Sequence, residues 1–96
     1  MSIEYIRFKI DEEIQISFIS AIGKACKIIA AYSDCLNYEV TQCEEDITLF
    51  VWRITWTSTD AHLNGFRKDK IFEPFYGLMQ PFVKYILEMN HYNKII

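Results

Sequence analysis

The stretch from Phe50 to Phe66 constrains this chain more than any other, because it joins a strand, a capped helix start and a line of aromatic rings. Phe50, Trp52, Ile54 and Trp56 alternate with Val51, Arg53 and Thr55, the period-two pattern of a strand with two distinct faces. Ser58 then offers a hydroxyl to the unpaired amides of a new helix, and Asp60 places negative charge near its positive end. The chain is therefore expected to turn at Thr57 and Ser58. His62 and Phe66, four residues apart, fall on one helical stripe just past Trp56, so rings from two elements should meet at one rim.

A chain of 96 residues is the size of one domain and buries only about two thirds of its unfolded surface. We read residues 1–96 as a single domain. Yet 51% of the residues are hydrophobic and 16% aromatic, more ring surface than one small interior uses, which implies a pocket, a subunit interface, or both. The net charge of −3, from ten basic and thirteen acidic residues without a block of either sign, argues against a nucleic-acid partner. No signal-peptide pattern opens the chain and no apolar run is long enough to span a bilayer, so a soluble cytoplasmic protein with no membrane association is expected. Cys26, Cys35 and Cys43 are odd in number and lack CxxC spacing; they read as reduced, mostly buried thiols.

The other elements follow in order. Ile3 to Ile10 reads as a first strand with neither face wholly polar, which calls for cover on both sides. Asp11-Glu12-Glu13 opens a helix whose apolar positions run from Ile14 through Phe18, Ile22, Ala25 and Ile29 to Tyr32, with Gly23 allowing close packing. Cys35 to Cys43 alternates again and should form an antiparallel hairpin with the central strand through Glu44-Glu45-Asp46. Arg67 to Lys70 reads as a solvated charged break. A second helical piece runs from Phe72 to Val83, with Pro74 in its first turn and Pro81 at its end. The last segment, Lys84 to Ile96, reads as a fourth strand, on which His91 is expected at a sheet surface or interface. Arg7 and Arg53 lie among apolar neighbours on strands and should be ion-paired, Glu39 being a partner for them. The order folds most simply into a ferredoxin-like βαββαβ α+β sandwich, a four-stranded antiparallel sheet with helices on one face.

Several segments resemble the antibiotic biosynthesis monooxygenase domain: Glu4-Tyr5-Ile6-Arg7, Cys35-Leu36 with Tyr38-Glu39-Val40, Trp56-Thr57-Ser58 with Ala61-His62, Phe66-Arg67-Lys68 with Phe72, and Glu88-Met89-Asn90-His91-Tyr92. The resemblance runs over nearly the whole chain. It implies a homodimer in which two ferredoxin-like subunits form a dimeric α/β barrel, each with a pocket between sheet and helices. Members similar to this one are described as candidate quinol monooxygenases, and others oxidise polycyclic aromatics with dioxygen and no metal or flavin. A related branch degrades haem through an asparagine, a tryptophan and a histidine. By spacing, those positions are Ile6, Phe66 and Tyr76 here, and all three depart from the haem pattern.

Oxygenation without a cofactor needs an electron-rich phenol or quinol held near deprotonation in a dry pocket, with a base at its rim. His62 is the candidate catalytic base, against a plainer role in capping the helix or packing on Trp56. Trp56, Phe66, Phe72, Tyr76 and Tyr38 are the candidate substrate-binding residues, against a plainer role as core. No phosphate loop, dinucleotide glycine pattern, nucleophile elbow or metal-ligand spacing is present, so neither a cofactor nor a metal is expected. The expected function is a cofactor-independent monooxygenase acting on a quinol-like or phenolic small molecule with dioxygen. The alternative is a dimeric ligand-binding protein without turnover.

Overall fold

The computed structural model describes residues 1–96, ordered as β1 Ser2–Lys9, a 3-10 turn Glu12–Ile14, α1 Gln15–Ala30, β2 Cys35–Gln42 and β3 Leu49–Trp56. A π-turn Ala61–Gly65, a 3-10 turn Phe66–Lys68, α2 Phe72–Met79, a 3-10 turn Gln80–Tyr85 and β4 Ile86–Tyr92 complete the chain. The sheet order is β2-β3-β1-β4 with every neighbouring pair antiparallel, which is the expected ferredoxin-like α+β sandwich. No helix is long and apolar enough to cross a membrane.

Register decides which residues meet. Glu4, Ile6 and Phe8 of β1 lie opposite Ile54, Trp52 and Phe50 of β3, so all six share the face that the helices cover. Phe18, Ile22, Ala25 and Ile29 of α1 close over that face and are buried with it. Each large apolar side chain so buried contributes about 1.5–3 kcal/mol relative to exposure. The first helical segment begins as a 3-10 turn at Glu12, after extended Asp11, with Glu12 and Glu13 as the acidic residues of its first turn. Gly23 does not serve close packing either: a Cβ at that position meets nothing within 4 Å.

β4 departs from simple alternation. Arg7 pairs with Glu88 but Phe8 with Ile86, leaving Leu87 as an extra residue, a bulge that turns Ile86 onto the same covered face as Met89 and His91. His91, cross-strand partner of Glu4, therefore points toward the helices, which corrects its expected place at a sheet surface or interface. The opposite face of the sheet carries Tyr5, Arg7, Val51, Arg53 and Tyr92. There Arg53 pairs with Glu39 at 2.5 Å, and Arg7 lies 3.8 Å from Glu88. Among the thiols only Cys26 is buried, while Cys35 and Cys43 are half-buried, so burial is less general than expected. Burial pushes the Cys26 thiol up to about 11.

Candidate active site

Local backbone chemistry sets the site. The Ser58 hydroxyl accepts a hydrogen bond from the Ala61 amide at 2.9 Å, the expected cap. The helix it starts widens at once: the Phe66 amide reaches back five residues to the Ala61 carbonyl as well as four to His62, closing a π-turn. The extra residue lowers His62 onto the sheet, where its ring stacks on Trp56 with centroids 4.5 Å apart and planes 9° apart. Phe66 follows against Trp56 at 5.2 Å and, edge-on, against Tyr32 at 5.5 Å. Asp69 accepts the Ile71 amide at 3.0 Å and directs the chain into α2, which brings Phe72, Phe75 and Tyr76 over the same rings.

Between sheet and helices these residues enclose a cavity of about 170 Å³. Ile6, Trp52, Trp56, Phe66, Phe72, Phe75 and Met79 supply much of its wall. Tyr76, 45% exposed and stacked on Phe72, stands at its mouth with Val83 and Met89. An apolar cavity near 150 Å³ is roughly one benzene in size, so this chamber is about one aromatic ring deep. Glu4, His62 and Arg67 are its only charged or titratable-ring lining residues, beside the Tyr76 hydroxyl at the mouth.

The expected site residues thus fall as follows. His62, Trp56, Phe66, Phe72 and Tyr76 line one cavity, and so does Ile6. Tyr38 does not: it sits exposed on edge strand β2, opposite Ile54, and is not among the lining residues. Arg67, expected on a solvated break, instead turns inward and donates from Nε to His62 Nε2 at 3.4 Å. Glu4 and His91 were not among the expected site residues. Glu4 shares the parity of Ile6 and Phe8, which marks its side as apolar, but nothing local marks His91 as its neighbour.

These polar groups form one network. Trp56 Nε1–H donates to Glu4 Oε1 at 3.0 Å, and that oxygen lies 3.6 Å from His62 Nε2. With Nε2 accepting from Arg67, the proton of a neutral His62 resides on Nδ1, which donates to His91 Nε2 at 2.7 Å. Glu4 is 2% exposed and His62 3%. Burial raises Glu4 above the ordinary carboxylate range, opposed by the Trp56 hydrogen bond and the Arg67 charge. Burial pulls His62 down to about 3, helped by the Arg67 charge and by His91. A proton acceptor poised near neutral pH was expected at His62; desolvation instead holds it neutral. Its place against Trp56 matches the plainer role as well.

No protein-family model matches the chain, and no curated protein sequence matches it. Solved structures do. The crystal structure of an antibiotic biosynthesis monooxygenase superposes with a TM-score of 0.80 over 100% of both chains at 14% identity. A conserved protein from Methanosarcina mazei Go1 gives 0.78 at 20% identity, covering 98% of this chain and 93% of that one. A single-substitution variant of SnoaB, a cofactor-independent oxygenase from Streptomyces nogalater, gives 0.75 at 12% identity over 99% and 94%. What is shared at such identities is the fold, and the fold of this chain is the one found in structures named antibiotic biosynthesis monooxygenases, as the sequence resemblance implies.

Proposed function

We propose that this chain is a monooxygenase that oxidises a phenolic or quinol-like aromatic molecule with dioxygen, using no cofactor, as a cytoplasmic homodimer. One observation carries the reading: a ring-walled cavity whose polar groups, Glu4, His62 and Arg67, are gathered in one corner. A flat apolar substrate carrying one ionisable oxygen matches that distribution. SnoaB, similar in fold, is named a cofactor-independent oxygenase.

The chemistry needs little from the protein. Conversion of a phenol to a quinone adds one atom of dioxygen to a ring carbon, releases the other as water, and draws all four electrons from the substrate. The phenolate, rather than the phenol, is electron-rich enough to reduce dioxygen. Arg67 stabilises the phenolate oxygen, and the apolar walls strengthen that attraction by excluding water. As Arg67 turns from His62 Nε2 to that oxygen, the freed Nε2 lone pair accepts the hydroxyl hydrogen, and Nδ1–H leads the charge toward half-buried His91. Trp56, Phe66 and Phe72 hold the ring by stacking and edge contacts, and Tyr76 screens the mouth.

Purified protein is incubated with one-ring and fused-ring quinols, aerobically and anaerobically. Oxygen-dependent oxidation faster than the protein-free control, with one-ring substrates preferred, is expected; rates equal to the control reject the reading. A second reading, a ligand-binding dimer without turnover, is favoured by the displacement of His62 to about 3, which makes it a weak base. A ring compound that binds with unchanged oxidation rate, in the original protein and in His62→Gln alike, selects that reading.

A further inference from the structure

We infer that Glu4, His62 and His91 form a binding site for a divalent first-row transition-metal ion. The inference concerns binding and does not rest on the oxygenation reading. Three separate elements, β1, the π-turn and β4, bring the three side chains together, and their ligating atoms all lie within 4.8 Å of one another. Two imidazoles with one carboxylate, leaving further coordination positions open, are a donor set that suits zinc, cobalt and iron.

The contact between the two imidazoles is close to what a metal requires. His62 Nδ1 and His91 Nε2 are 2.7 Å apart with one proton between them. Metal–nitrogen bonds of about 2.0–2.1 Å put neighbouring ligand nitrogens about 3 Å apart, so replacing that proton by an ion lengthens their separation by only a few tenths of an ångström while the rings turn toward it. His91 is half-buried on the last strand and has room to make that shift. Glu4 is almost wholly buried, its Oε1 takes the Trp56 hydrogen bond, and no hydrogen bond reaches Oε2. With Oε1 so engaged, Oε2 is the oxygen available to an ion.

Arg67 is the opposing element. Its guanidinium approaches Nε2, the other edge of the His62 ring, so it does not occupy the metal position but lowers affinity there by charge repulsion.

The test uses tag-free protein, stripped with chelator, desalted and titrated with cobalt(II) while its visible absorption is followed. Expected are one ion per chain, a spectrum that zinc(II) abolishes, and binding weakened by at least about tenfold in His91→Ala. Arg67→Gln should bind cobalt more tightly than the original protein. Absence of the cobalt spectrum at millimolar ion overturns the site, as does binding that His91→Ala leaves unchanged. Circular dichroism of the half-buried His91 variant separates lost binding from lost folding, and because no aromatic substrate is used, failure here leaves the oxidation assay unaffected.

Discussion

Glu4 and His62 place two titratable groups in the dry interior, and burial opposes charge on both. The two therefore pull the pH dependence of stability in opposite directions. His62 has its pKa lowered from 6.5 to about 3, so the unfolded chain takes up its proton first; stability present above pH 6.5 is lost as pH falls toward 3. Glu4 is raised above 4.5, so the folded chain holds its proton longer; its contribution is greatest below pH 4.5 and is lost as pH rises through the folded value. Between pH 4.5 and 6.5 the two contributions partly cancel. In chelator-treated Glu4→Gln the opposing Glu4 contribution is gone and the His62 slope, reinforced by His91, remains, so its urea midpoint should fall more steeply over that window than the parent's. A shallower fall would mean that Glu4 is ionised in the folded protein. The parity of Glu4 with Ile6 and Phe8 made its burial readable from the sequence. Its partner was not readable, because Glu4 and His91 meet only through the pairing of the first and last strands.

Elements whose ends are marked by special side chains were legible. Ser58 caps where expected, Pro74 lies in the first turn of α2, and Pro81 sits just past its end. The two irregularities that shape the site, the π-turn at Ala61–Gly65 and the bulge at Leu87, are single inserted residues without a compositional mark. The π-turn depends on a close approach. A Cβ on Gly65 would stand 2.7 Å from Tyr32 Oη, and Tyr32 itself packs against Trp56 and Phe66. Gly65→Ala should therefore cost about 1–3 kcal/mol, as overpacking does, measured by urea unfolding. Removing the hydroxyl relieves the clash, so Gly65→Ala should cost less in a Tyr32→Phe background. An equal cost in both backgrounds would trace the damage to the turn's backbone instead.

At the scale of the whole molecule, only one face of the sheet is covered by this chain's own helices. Tyr5, Arg7, Val51, Glu88 and Tyr92 surround a shallow depression on the other. Tyr5 and Tyr92 meet edge to face at 5.1 Å, and Tyr92 donates to the Glu88 carboxylate, so the side chains there are already ordered. The ion pairs Arg7–Glu88 and Arg53–Glu39 balance the charge, so a second copy can cover the face without burying an unmatched ion. Ordered rings and balanced charges are what the proposed homodimer needs from this surface. Val51 tests it most directly, because it lies on a central strand, between Arg7 of β1 and Thr41 of β2, and makes no part of the cavity. The original protein should sediment at micromolar concentration as twice its 11.4 kDa chain, and Val51→Asp, which would bury an unpaired carboxylate, as a single chain with unchanged circular dichroism. If the variant also stays dimeric, the second copy joins elsewhere; if the original protein sediments as one chain, the dimer is abandoned. Cobalt binding should survive dissociation, because all three metal-ligating residues come from one chain.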